Sequence, residues 1–147
     1  WLEGVAANSP KRFENNSSQV VAAGDGSIDI GWVNHYYLYR VDLETTPVAN
    51  HSFPVDGDGG NVLMVAGGGI RSGSPNADAA KELVAWLLSE SSQTYFAQQT
   101  YEYPTRIGVP THVDVPALRP DQLAVVEQAW LSDLGPSRTL LQELGIQ

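Results

Sequence analysis

The clearest periodic pattern of apolar residues lies in the middle of the chain and predicts an α-helix. Pro75 and Asp78 open this segment, and a proline followed by an acidic residue is typical of a first helical turn. Residues 89–92 interrupt the pattern, and residues 93–98 predict a second, shorter helix. The apolar positions of the first helix recur at i, i+3, i+4, i+7 and i+8, which places them on one helical face: Ala80, Leu83, Val84, Leu87 and Leu88.

Two short runs of β-branched and other apolar residues, 28–33 and 61–66, predict strands. A third short strand is predicted at 50–53. Asn16 or Ser17 is the expected cap of a short early helix. Strands followed by a late helical half indicate an α/β chain. The other predicted helices are the opening residues 1–8, the segment from His35 to about Asp42, and residues 120–131 and 136–144.

The balance of charges limits the classes of partner. The chain has 8 Lys and Arg against 17 Asp and Glu, a formal charge of −9. Nucleic acids and anionic membrane surfaces bind proteins through clustered cations, so both are disfavoured as partners of this acidic chain. The chain has no cysteine, which excludes disulfides, thiolate metal sites and a cysteine nucleophile. No apolar run approaches the roughly 18 residues of a membrane-spanning helix.

The most distinctive chemistry belongs to Asn34-His35-Tyr36-Tyr37, directly after the first predicted strand. Binding groups favour the point at which a strand ends and a helix begins. A phenol has a pKa of about 10 in solution, so it ionises near neutrality only when a strong cation replaces its proton. Because hard oxygen donors suit hard ions, a pair of phenolates indicates a trivalent ion such as Fe³⁺. Composition alone favours a structural interpretation without metal binding, in which Tyr36, Tyr37 and Tyr39 are packing residues with solvated hydroxyls.

A resemblance changes that balance. The segment 26–40, with Gly-Ser-Ile-Asp-Ile-Gly ahead of the tyrosine pair, resembles the tyrosine-pair region of bacterial ferric-iron-binding proteins, the solute receptors of iron ABC transporters. The resemblance implies that Tyr36 and Tyr37 ligate Fe³⁺, and that Asn34 and Asn16 hold a synergistic anion, carbonate or phosphate. For the second anion residue, Asn15 and Ser17 are equally near in the sequence. It continues in order along nearly the whole chain, through residues 48–53, 58–62, 79–89, 102–104 and 140–145.

The same resemblance implies a fold and a division of the chain. The implied fold is the type 2 periplasmic-binding-protein fold, an α/β fold in which two lobes close on the ion and a mixed sheet is flanked by helices. Residues 1–48 are then expected to form the tail of the second lobe and to carry the tyrosine pair. Residues 49–147 are expected to form the hinge crossover, the return to the first lobe and the C-terminal helices. Because such receptors are longer and carry further ligands in their opening half, we expect a C-terminal half with an incomplete iron site.

Partners and location also follow from the resemblance. The expected partners are an ABC transporter permease and the missing N-terminal half. The expected location is the periplasm or the outside of the cell, and attachment to the membrane as a lipoprotein is left open. One alternative keeps the architecture and binds another anion or small solute. Another is a functionally silent fragment that forms homo-oligomers through the surface its missing half would cover. An enzyme is the least supported class, because the chain lacks a Gly-x-Ser-x-Gly elbow and its three histidines lack zinc-site spacing.

Overall fold

The structure is a computed structural model that describes residues 1–51, 54–55, 58–59 and 61–146. The chain divides into two compact units, which are described separately below: unit 1 comprises residues 1–62 and 124–147, and unit 2 comprises residues 63–123. The helices are α1 (Leu2–Ala7), α2 (Asn16–Gly24), α3 (Ala77–Leu87), α4 (Glu90–Thr100) and α5 (Gly135–Glu143), with 3₁₀ helices at His35–Arg40, Pro120–Gln122 and Gln128–Leu131.

In unit 1, α2 provides the packing centre close to the tyrosine segment. Val20 and Ala22 on this helix are buried. The cap is Asn15, one residue before the predicted position, because its Oδ1 accepts a 2.9 Å hydrogen bond from the Ser18 backbone N–H. The Ser18 hydroxyl in turn accepts a 3.3 Å hydrogen bond from the Asn15 N–H, which completes a reciprocal capping box. Asn16 is therefore the first residue of the helix and not its cap.

In unit 2, α3 and α4 form a consecutive helix pair, as the periodicity predicts. The break between them lies at Leu88 and Ser89, and the Ser89 hydroxyl accepts a 3.3 Å hydrogen bond from the Ser92 N–H at the start of α4. The second helix begins at Glu90, three residues before its predicted start at 93. Ser92 and its neighbour Gln93 are buried, so the polar run 89–92 starts a helix as well as ending one.

The buried amide of Gln93 joins three backbone segments of unit 2. Its Nε2 donates a 2.9 Å hydrogen bond to the Leu87 carbonyl at the end of α3. Its Oε1 accepts a 2.8 Å bond from the Thr105 N–H and a 3.1 Å bond from the Thr105 hydroxyl. A buried amide is retained at low cost only when its donors and acceptors are used in this way. Gln93 thereby fixes the non-helical segment after α4 against the α3–α4 corner.

The prediction of an α/β fold with a mixed sheet flanked by helices is wrong. Among the residues that the structure describes, the only strands are the two-residue β1 (Pro54–Val55) and β2 (Asp58–Gly59), which pair antiparallel. The segments 28–33 and 61–66, both predicted as strands, are not strands, and the second has only an isolated bridge at Asn61. Two of the apolar side chains in the first segment are more than half exposed, Ile30 at 63% and Trp32 at 58%. An apolar pattern makes a strand only when neighbouring strands accept its backbone hydrogen bonds.

The other predicted elements have mixed outcomes. The helix α1 lies within the predicted residues 1–8, and α5 begins and ends one residue before the predicted 136–144. The helix predicted over 120–131 is wrong, because the structure has two separate 3₁₀ turns there. The β-branched pair Val125 and Val126 separates these turns, and such side chains are restricted in a helix. The strand predicted at 50–53 lies partly outside the described residues. Among the described helices, none combines the length and apolar character needed to cross a bilayer.

Candidate metal-binding site

The two tyrosines of the predicted iron site lie in the first turn of the 3₁₀ helix His35–Arg40. Asn34 precedes this helix in an extended conformation, with φ −67° and ψ 140°. The carbonyl of Asn34 accepts a 3.1 Å hydrogen bond from the Tyr37 N–H, which closes the first turn. A helix start at this point agrees with the prediction from sequence, although the helix is of the tighter 3₁₀ type with three residues per turn.

The rings of Tyr36 and Tyr37 lie beside one another. Their centroids are 4.8 Å apart and their planes differ by 33°. Consecutive side chains on a regular helix point in different directions, so this approach requires the irregular geometry of a helix start. Both tyrosines are half-buried, which leaves part of each ring accessible. The two rings are therefore close neighbours and are not buried in an apolar core.

Asn34 contacts the phenol oxygen of Tyr36 directly. Its side-chain Nδ2 donates a 3.0 Å hydrogen bond to the Tyr36 Oη. An amide N–H aimed at this oxygen stabilises negative charge on it. The Asn34 side chain makes no capping bond to the helix, so its contact with the phenol is separate from helix formation. The amide nitrogen has a second N–H, and the predicted contact of Asn34 with an anion stays a prediction.

Arg40, at the other end of the 3₁₀ helix, covers both rings. Its guanidinium carbon lies 4.6 Å from the Tyr37 centroid and 5.1 Å from the Tyr36 centroid, both within cation–π range. The sequence interpretation overlooked Arg40. Its spacing of three and four residues from the two tyrosines is the signal that could have identified it, because side chains at these spacings share a helix face.

His35 and Asn50 complete the surroundings of the pair. The His35 ring meets the Tyr36 ring edge to face, with centroids 5.6 Å apart. The His35 carbonyl accepts a 3.0 Å hydrogen bond from the Asn50 side-chain amide. This bond ties the start of the 3₁₀ helix to a residue 15 positions later. Asn50 is a second supporting residue that the sequence alone did not reveal.

The second predicted anion residue, Asn16, lies in the first turn of α2, the helix that packs against the 3₁₀ helix of the tyrosines. Gln19 of α2 also anchors the segment leading into the site, because its Oε1 accepts a 3.2 Å hydrogen bond from the Trp32 N–H. Gly31 lies against Gln19, and a Cβ at Gly31 would stand 3.5 Å from the Gln19 Cβ. The two predicted anion residues, Asn16 and Asn34, thus lie on or beside elements that contact one another, and their binding of an anion stays a prediction.

An open hollow of about 580 Å³ lies beside α2 in the same unit. Lys11 lines this hollow and donates a 2.7 Å hydrogen bond from its Nζ to the Ser27 carbonyl. The tyrosine pair does not line this hollow, so the two are separate features of unit 1. Its lining residues are Lys11, Phe13, Ser17, Ser18, Val21, Ala22, Asp25 and Ser27.

The donors at the tyrosine pair fit a hard ion better than a soft one. They are two phenol oxygens, with amide groups close by. No group of three or more histidine, aspartate or glutamate side chains gathers at a metal-binding distance in the part of the chain that the structure describes. A zinc-type ligand set is therefore not found among these residues. Two phenols supply at most two of the ligands that Fe³⁺ would take.

Comparison with known proteins identifies the relatives of this chain. It is 34% identical over 75% of its length to iron uptake protein A2 of Synechocystis, and 31% identical over 78% to iron uptake protein A1 of the same organism. It is 25% identical over its whole length to the major ferric iron-binding protein of Neisseria meningitidis. The chain is homologous to iron-uptake and ferric-iron-binding proteins. The resemblance inferred from the tyrosine-pair segment is thereby confirmed.

The extent of the match limits what it says about the whole protein. The chain spans about a third of the two Synechocystis relatives, 35% and 34%, and 45% of the Neisseria protein. No family model matches the chain. The names of these relatives describe iron uptake and ferric iron binding, and none of them names an enzyme.

Proposed function

We propose that this chain is part of an extracytoplasmic receptor that captures Fe³⁺ for uptake, with Tyr36 and Tyr37 as ligands to the ion. The observation that carries the proposal is the side-by-side tyrosine pair, 4.8 Å between ring centroids, in a chain whose relatives are named for iron uptake and ferric iron binding. Two phenol oxygens on one helix start match the preference of a trivalent ion for hard donors.

Binding would exchange the phenol protons for the ion. Each tyrosine gives up its proton and becomes a phenolate donor, because Fe³⁺ replaces the proton at the oxygen. The Asn34 N–H, 3.0 Å from the Tyr36 oxygen, then donates to an anion and the hydrogen bond strengthens. Both steps favour the ionised form of the pair only when the metal is present, which suits a receptor that must bind and later release.

An anion would complete the charge balance. Fe³⁺ carries +3 and two phenolates carry −2, so the bound pair has a net charge of +1 that a carbonate or phosphate would offset. The remaining N–H of Asn34 and the amide of Asn16 are the donors proposed for this anion. The exposed Arg40 adds positive charge close to the rings and further favours an anionic co-ligand.

The remaining ligands would come from the part of the receptor that precedes this chain. In the proposed organisation, residues 1–48 end the second lobe, and residues 49–147 cross the hinge and return to the first lobe. Closure of the lobes would be favoured because the ion and anion gain contacts in the closed form. The loaded receptor would deliver its iron to an ABC permease from the periplasmic or outer side.

Titration with ferric nitrilotriacetate, in the presence of bicarbonate or phosphate, tests the proposal. A phenolate-to-iron charge-transfer band should develop in the visible spectrum of the wild-type chain. The double variant Tyr36→Phe/Tyr37→Phe should lose this band. Tyr95→Phe is the matched control, because Tyr95 is a 59% exposed tyrosine on α4 and its loss should leave the band unchanged.

An unchanged band in the double variant would remove Tyr36 and Tyr37 from the site. A wild-type chain that binds citrate or a sugar without colour would instead favour a receptor for another anion or small solute. Light scattering on the same samples separates a monomer from the self-associated, silent fragment.

A further inference from the structure

Arg40 stands over both tyrosines because of the helix type that connects them. In a 3₁₀ helix with three residues per turn, side chains at i and i+3 are eclipsed. Tyr37 and Arg40 have this spacing, and Tyr36 lies one residue further away. The guanidinium carbon is correspondingly closer to the Tyr37 ring, 4.6 Å, than to the Tyr36 ring, 5.1 Å.

The position of the guanidinium leaves the metal-binding atoms unobstructed. It lies over the ring faces, where the negative lobe of the aromatic quadrupole attracts a cation. A metal ion binds a phenolate at its oxygen, at the edge of the ring. The same two rings can therefore hold Arg40 on their faces and an ion at their oxygens.

We infer that Arg40 is a positioning residue of the tyrosine pair, which holds the two rings side by side before Fe³⁺ arrives. This inference rests on the function proposed above. Tyr36 and Tyr37 are consecutive, and consecutive side chains tend to diverge, so an ion that had to bring them together would lose affinity in ordering them. A cation shared by both rings removes part of that cost in advance.

The contribution should be moderate in size, because Arg40 is exposed and solvent weakens its interaction with the rings. Its charge also repels Fe³⁺ while it attracts the phenolates. The inference requires that ring positioning outweighs this repulsion. Removal of the guanidinium should then weaken Fe³⁺ binding about tenfold, because two cation–π contacts of about 0.5–1 kcal/mol each set the size of the ring ordering that would be lost.

Three variants test this role in ferric nitrilotriacetate titrations at fixed bicarbonate. Arg40→Met keeps a long side chain and loses the charge, and it should weaken Fe³⁺ binding about tenfold. Arg40→Lys keeps the charge and loses the flat guanidinium, and it should recover part of the affinity. Arg71→Met replaces an exposed arginine of unit 2 and should bind as the wild type does.

Near-ultraviolet circular dichroism of the iron-free proteins provides a second readout, since it reports the coupling of neighbouring tyrosine rings. Arg40→Met should reduce the tyrosine signal before any metal is added, with partial recovery in Arg40→Lys. If Arg40→Met binds iron as tightly as the wild type or more tightly, the inference is overturned, whether or not the dichroism changes. The proposed function still stands in that case, provided that the wild-type chain shows the charge-transfer band. If the wild-type chain gives no band, the proposed function fails and the role of Arg40 in iron binding fails with it.

Discussion

The hydrogen bond from Asn34 to Tyr36 leads to the sharpest prediction about the site. Asn34→Ala removes the 3.0 Å donor to the phenol oxygen. Helix capping should not suffer, because the Asn34 side chain makes no capping bond. A hydrogen bond to a charged group contributes about 1.5–3 kcal/mol, and each 1.4 kcal/mol corresponds to a factor of about ten. The bond is already present without the metal, so only its strengthening on metal binding, about 1–1.5 kcal/mol, should be lost from the affinity. Fe³⁺ affinity should therefore drop by about 5- to 10-fold.

The charge-transfer band measures this affinity, and the bicarbonate concentration separates two routes to the loss. If Asn34 acts through the phenolate, more bicarbonate leaves the deficit in place. If it acts mainly by holding the anion, excess bicarbonate restores the affinity by mass action. Asn76→Ala is the control, because Asn76 precedes α3 without a side-chain capping bond, as Asn34 precedes its own helix. Wild-type affinity in Asn34→Ala at every bicarbonate concentration would refute the role assigned to this contact.

Two further predictions concern the units that carry these residues. Gln93→Leu removes the bonds to Leu87 and Thr105 and should lower the free energy of unfolding by about 1–3 kcal/mol, measured by urea denaturation; an unchanged midpoint would contradict it. Gly24→Ala should destabilise the chain by about 1–3 kcal/mol in thermal unfolding, because its Cβ would overlap the Thr46 methyl. In a Thr46→Ser background the Gly24→Ala change should be neutral or stabilising, because alanine exceeds glycine in helix propensity by about 1 kcal/mol. Equal losses of stability in both backgrounds would show that overlap with the Thr46 methyl is not the cause.

The accuracy of the sequence predictions follows the range of the interactions involved. The helix α3 was predicted because its periodicity, its acidic first turn and its end are all local features. The strands at 28–33 and 61–66 have equally suggestive patterns, but a strand depends on partners distant in the chain. In the described residues those partners are absent, and side chains such as Met64, 77% exposed, remain in solvent. The pattern of apolar residues therefore indicated which side chains favour burial, but not whether a partner strand is present to bury them.

The candidate site divides in the same way. Sequence alone identified the adjacent tyrosines, their position at a helix start and the hard-donor chemistry of the pair, because all three depend on neighbouring residues. The spacing of Arg40 from the tyrosines only permits a contact, and the structure was needed to show that the guanidinium lies over both rings. The tie from Asn50 to the His35 carbonyl required a contact across 15 positions of chain.

The sequence by itself determined which atoms are available: two consecutive phenols, an amide just before them and a cationic side chain one turn later. Only the tertiary structure decided that the rings lie 4.8 Å apart, that the amide of Asn34 reaches Tyr36, and that Asn15 and not Asn16 caps α2. The physical reason is that residue types set what each group can donate or accept. Which groups meet depends on turns of the backbone and on packing between segments, and neither is local to one residue.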